Sequence, residues 1–165
     1  MKMNELFIGE LEREAEPTRR TLERVPEGKY DWKPHDKSMP LGYLSELVAR
    51  LPSWTVFTIK QDELELTGYK TPPLKTSREL VEALDEAVKS AREALANATD
   101  EHLMKPWKLK INGNVVYEAP RYIVLRDTVF NHLAHHRGQL TVYLRLNDAA
   151  VPSIYGPSAD EGTFQ

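Results

Sequence analysis

Two histidines stand four residues apart at His132 and His136, with a third, His135, between them. Neutral imidazole is both a metal ligand and a proton carrier near pH 7. On a helix, residues at i and i+4 share one face, so His132 and His136 could hold one divalent ion between their ring nitrogens. The same spacing also suits two satisfied core or cleft side chains with no metal. His135 lies about 100° away, beside Thr128, Asn131 and Gln139 on the wetter face. The Glu that follows the first His in a zinc-protease motif is absent, since Leu133 stands there.

These histidines need an element to hold them. The apolar spacing from Tyr122 to Leu146 predicts a long last helix, on which Leu125, Val129, His132, His136, Leu140 and Leu144 form one stripe. The pair is therefore expected to face the core. Gly138 lies inside this helix, where a glycine costs about 1 kcal/mol relative to alanine, so it is expected to mark a close helix approach. Arg137 is expected to make an ion pair on the outer surface, and Tyr143 to pack in the core.

Three further helices are predicted upstream. The first runs from Asn4 to Arg24, with Ile8, Leu11, Ala15, Thr18 and Leu22 on its apolar side and a kink at Pro17. The second starts with Ser38 as its cap, carries Leu41, Leu44, Leu47, Val48 and Leu51, kinks at Pro52 and fades near Asp62. The third opens on Thr76-Ser77-Arg78-Glu79, a capping box, and continues through Val81, Leu84, Val88, Ala91, Leu95 and Ala98. Before the last helix, Trp107 to Ile111 and Val115 to Tyr117 alternate around Asn112-Gly113-Asn114, which predicts a short β-hairpin. Four amphipathic helices with one long connection define an all-α four-helix bundle with a short β-hairpin or irregular insertion before the last helix, built as a single domain over residues 1–165.

Composition narrows the function. With 41% hydrophobic and 28% charged residues the chain belongs with folded globular proteins. A formal net charge of −3 leaves no basic excess to neutralise phosphates, so no nucleic-acid partner is expected. The chain has no cysteine, which excludes disulfides, thiolate ligands and a cysteine nucleophile. The N-terminus turns charged too early for a signal peptide, and no apolar run suits a membrane span. A cytoplasmic protein with no membrane partner is expected. Glycine-rich phosphate loops and Gly-x-Ser-x-Gly elbows are absent.

The run His132-x-x-x-His136 followed by Arg137-Gly138-Gln139-Leu140-Thr141-Val142-Tyr143-Leu144-Arg145 resembles the last-helix signature of the DinB/YfiT-like family of metalloenzymes. The resemblance continues through Val151-Pro152-Ser153-Ile154-Tyr155-Gly156-Pro157-Ser158-Ala159-Asp160-Glu161, and upstream through Met39 to Leu44 and Leu51 to Trp54. It implies a cleft at one end of a four-helix bundle, with zinc or nickel held by three histidines. Two of these match His132 and His136. The third family position falls on Leu47, and no histidine occurs between Leu41 and Trp54. Glu46 points about 100° from Leu47, and Arg50, one turn along, would repel a cation. His35 or His102 would have to reach in from a loop.

Two functions follow from the resemblance. One is a divalent-metal-dependent enzyme resembling thiol transferases, in which His132 and His136 hold the ion and Arg137 or Tyr143 orients substrate. The other is a non-catalytic small-ligand-binding or stress-associated bundle protein that has lost the metal. The resemblance also allows a homodimer. The small-molecule ligand itself is not specified by the residues.

Overall fold

The fold is that of a computed structural model and is described for residues 2–162. It is mostly helical, with one small three-stranded sheet. Helix α1 spans Met3–Glu23 and runs unbroken across Pro17, which is buried. Thr18 and Thr21 turn their hydroxyls back onto the Glu14 and Pro17 carbonyls, at 2.6 and 2.7 Å. The face carrying Phe7, Leu11, Thr18 and Leu22 is buried, as the spacing requires.

Helix α2, Leu41–Arg50, begins after Pro40 and has no side-chain cap, so Ser38 does not cap it. Its first amide groups are satisfied by the preceding loop instead. Leu41 N–H donates to the Trp32 carbonyl and Gly42 N–H to the Tyr30 carbonyl, both at 2.8 Å. This seats the Tyr30 loop directly on Gly42. A Cβ there would lie 3.0 Å from Tyr30 Cβ and 3.1 Å from its carbonyl oxygen. Pro52 ends α2 in a 3-10 turn at Leu51–Ser53, and α3 resumes at Trp54–Lys60.

Strand β1, Glu63–Glu65, leads by a loop to α4, Ser77–Ala96. The capping box is formed: Thr76 Oγ1 accepts from Glu79 N–H and the Glu79 carboxylate accepts from Thr76 N–H, each at 3.1 Å. A short α5, Asp100–Met104, precedes the hairpin of β2, Pro106–Ile111, and β3, Asn114–Pro120. Asn112 and Gly113 both have positive φ, at 51° and 75°, the conformation of the two-residue hairpin turn. The hairpin is part of a larger sheet than its alternation implies. β1 pairs in parallel with β2, giving the order β1-β2-β3. Trp107 anchors this sheet, fully buried against Leu64 and Val124, with its indole N–H 3.3 Å from the Phe57 carbonyl.

The last helical run is not uniform. It opens as α6, Arg121–Val124, widens into a π-helical segment at Leu125–Asn131, and tightens into α7, His132–Leu146. A π segment takes more residues per turn, so it changes the phase of everything downstream. Leu125, Val129, His136, Leu140 and Leu144 of the expected stripe are buried, with Phe130, Leu133 and Arg137 buried beside them, while His132 is only half-buried. The core forms two main groups. Leu41, Leu44 and Val48 of α2 pack with Leu80, Leu84, Leu133, Leu140 and Leu144. Phe7 stacks on Phe130 with ring centres 5.7 Å apart, beside Leu11, Ala91, Leu95 and Leu125. Among the described residues no helix is long and apolar enough to cross a membrane.

Candidate histidine site

The π segment hands over to α7 at His132, so His132 and His136 keep the i, i+4 relation of an α-helix. Their imidazoles converge. His132 Nε2 lies 2.8 Å from His136 Nε2, and the ring centres are 4.6 Å apart. His136 is buried, and His135 is exposed with its ring 4.9 Å from that of His136.

The outer nitrogens have partners of their own. His132 Nδ1 lies 3.3 Å from the Thr128 carbonyl, at the edge of hydrogen-bonding distance, and His136 Nδ1 lies 2.7 Å from the Gln139 carboxamide. A carbonyl only accepts, so His132 carries its proton on Nδ1 and, when neutral, presents a bare lone pair at Nε2. His136 Nε2–H then donates to that lone pair. Gln139 can present either end of its carboxamide to the remaining nitrogen. Burial holds the His132 pKa below its ordinary value, with proximity to His136 adding to the effect and the Thr128 carbonyl opposing it. His132 is therefore a neutral acceptor at pH 7. The pair can carry a shared proton, or offer two nitrogens to a cation.

The donor set stops at two. Among the described residues no group of three or more His, Cys, Asp or Glu could hold a metal ion. His35 is exposed, and its Nδ1 accepts from Lys37 N–H at 3.1 Å. His102 Nε2 lies 2.8 Å from the Ile59 carbonyl and is committed there as a donor. Leu47 is partly buried against the α2–α7 core. Two imidazoles on one tetrahedral zinc, each at about 2.0–2.1 Å, would have their nitrogens about 3.3 Å apart. The observed 2.8 Å is a hydrogen-bond separation. The residues present thus do not fit a resident three-ligand ion.

Arg137, the next residue, is not on the outer surface. It is 1% exposed and reaches α1. It donates to Thr18 Oγ1 at 2.9 Å, to the Glu14 carbonyl at 3.1 Å and to the Glu14 carboxylate at 2.6 Å. It also donates to Tyr155 Oη at 2.6 Å, and that hydroxyl donates to Glu14 at 2.8 Å. Burial raises the Tyr155 pKa and the Glu14 carboxylate raises it further, so the hydroxyl stays a donor. These contacts take Arg137 out of contention as a free substrate ligand. Tyr143 is half-buried against Trp32, with its hydroxyl 3.2 Å from the Met39 carbonyl.

The C-terminal segment is tied down by the same side of α1. Arg20 donates to the Ser153 carbonyl at 2.7 Å and to Glu161 at 2.9 Å, and Arg24 also pairs with Glu161. This gives a structural use to the Val151–Glu161 run, which Tyr155 and Asp160 also tie to the last helix through Arg137 and Arg145.

The family model for the DinB family matches residues 1–165, the whole chain. The chain belongs to the DinB family. Its fold is similar to two solved structures. One is a DinB-like protein from Bacillus cereus, at 24% identity and a TM-score of 0.65, covering 86% of this chain and 91% of that one. The other is a DinB-like protein from Bacillus subtilis, at 18% identity and a TM-score of 0.68, covering 88% and 94%. No curated protein matches this DinB-family chain. At these identities the two structures speak for the fold alone, so the chemistry rests on this chain's own residues.

Sequence spacing located the pair but not its supports. Thr128 and Gln139 stand four before His132 and three after His136, which is helical reach. Gln139 lies on the exposed face with Asn131 and His135, as the spacing requires, yet its carboxamide and the Thr128 carbonyl reach the histidine rings.

Proposed function

We propose that this DinB-family chain is a four-helix-bundle protein that binds a small molecule without a resident catalytic metal. The observation that carries this reading is the closure of His132 on His136 at 2.8 Å, with Leu47 at the position where the family resemblance calls for a third ligand. Each outer nitrogen has a protein partner as well. The pair is therefore self-satisfied, and a cation would have to break the central hydrogen bond for only two protein ligands.

Metal analysis tests this directly. Protein purified without chelator is expected to carry far less than one zinc or nickel per chain, and calorimetric titration with either ion is expected to show weak binding. One tightly held ion per chain, lost on both His132→Ala and His136→Ala, would overturn the reading.

One observation favours the metal-dependent thiol-transferase alternative. The two Nε2 atoms converge to 2.8 Å, so a proton shift on His136 to Nδ1 would turn two neutral ring nitrogens toward one point. A thiol substrate could then act as the missing ligand. Zinc binding that becomes tight only when a low-molecular-weight thiol is added would select this alternative.

A further inference from the structure

A cleft flanks α2 on the face that carries Tyr43, Leu47 and Arg50. It measures about 650 Å³ and opens between α2, the start of α3 and the loop that follows β1. Its walls include Tyr43, Leu47, Trp54, Leu66 and Tyr69, and neither His132 nor His136 is among its lining residues. That volume lies within the range of small-molecule sites, which are mostly apolar with a few polar groups that fix orientation. Tyr43 and Tyr69 leave large parts of their rings exposed, at 60% and 48%. Tyr69 is itself oriented edge-on to Phe57, with ring centres 6.1 Å apart.

Charge in this cleft is in net excess on the positive side. Arg50 and Lys70 both line it, and neither makes a salt bridge among the described residues. Arg50 spends one Nη2–H on the Pro72 carbonyl at 2.8 Å, while its Nε–H is buried with no partner. The one carboxylate in the wall, Glu46, already accepts from Leu74 N–H at 3.1 Å. So an aromatic-walled cleft holds two cations against one carboxylate, and neither cation is paired with it. The planar fork of a guanidinium is suited to a planar carboxylate.

We infer that this cleft binds a small aromatic carboxylate, its ring against Trp54 and Tyr69 and its carboxylate on Arg50 with Lys70 nearby. This rests on the reading of the chain as a small-ligand-binding protein, and adds where the ligand sits and what it is. Glu46 counts against a dianion, since its own negative charge shares the wall.

The test uses naphthoate and its uncharged isostere naphthamide with the full chain. Binding is followed by calorimetry and by the Trp54 indole resonance. Naphthoate is expected to bind about tenfold more tightly than naphthamide, the worth of a charge-assisted hydrogen bond. Arg50→Gln should bring naphthoate down to the level of naphthamide. Because Arg50 also tethers the loop at Pro72, Lys70→Gln serves as a second variant and should give a smaller loss in the same direction. Leu47→Trp, which fills the cleft, should block both probes. Equal affinity for the two probes would overturn the carboxylate assignment. Naphthoate binding that survives Leu47→Trp and Arg50→Gln and shifts His132 and His136 resonances would overturn the site while leaving the ligand-binding reading standing. No saturable binding of either probe would overturn the inference outright, and the metal analysis above judges the broader reading independently.

Discussion

Arg137 Nη2 of α7 lies 2.6 Å from the Glu14 carboxylate of α1, with the guanidinium 1% exposed and stacked 5.1 Å from the Tyr155 ring centre. This pair joins the first and last helices and the C-terminal segment at one point. Desolvation of such a pair consumes much of its Coulomb attraction, so its net contribution is modest while it is intact. Loss of one partner is different.

Arg137→Ala leaves the partly buried Glu14 carboxylate with only Tyr155 to satisfy it, and should destabilise the fold by up to about 3–5 kcal/mol. Replacing both Arg137 and Glu14 with methionine should recover a large part of that loss. Urea unfolding of the two variants checks this. A loss below about 1 kcal/mol in the single variant would mean that the pair behaves as a surface ion pair.

The His132 pKa is depressed, so the unfolded chain binds the proton more readily than the folded one. Where the unfolded state holds more protons, stability rises with pH. His132 therefore contributes stability that is fully present above its unfolded value of about 6.5. That contribution is lost as pH falls from there toward the lower folded value. Unfolding free energy measured at pH 7.5 and 5.5 should drop more steeply with acid in the parent than in His132→Gln. Equal drops in the two proteins would count against a folded His132 held neutral.

Leu47→His places an imidazole at the third family position. If position 47 is the missing corner of a metal site, zinc should raise the melting temperature of this variant more than that of the parent, by mass action on the folded state. Leu47 is only partly buried and lines the α2 cleft, so without zinc the new imidazole should cost less than the ~1–3 kcal/mol of a fully buried polar group lacking a partner. An equal zinc response in both proteins would show that position 47 does not complete the site.

Two glycines should respond in opposite directions to alanine. Gly138 is exposed in α7 and a Cβ there meets nothing within 4 Å, so it does not mark a close helix approach. Gly138→Ala should raise stability by about 1 kcal/mol through helix propensity alone. Gly42→Ala should lower it by about 1–3 kcal/mol, because Tyr30 Cδ1 would lie 2.8 Å from the new methyl and the Tyr30 backbone cannot move without releasing its bond to Gly42 N–H. Melting temperatures of both variants test the pair of claims.

Periodicity alone determined the helices around Leu11, Leu84 and Leu140, because an amphipathic stripe is a local property of the chain. The hairpin at Asn112-Gly113 and the Thr76–Glu79 cap were legible for the same reason: turn and cap chemistry act over three or four residues. The closeness of His132 and His136 was legible too, as one helical turn separates them. Tertiary structure decided the rest. The burial of Arg137 against Glu14 and Thr18 of α1, and the π segment at Leu125–Asn131, depend on packing between distant helices, and no local spacing announces either. Whether a glycine is needed depends on what packs over it, which is the Tyr30 loop at Gly42 and nothing at Gly138. The parallel strand at Glu63–Glu65 acquires its meaning only from β2, some forty residues away in the chain. The cleft beside Arg50 likewise exists only because the loop after β1 folds back onto α2, since a cavity is a property of surfaces brought together from distant segments.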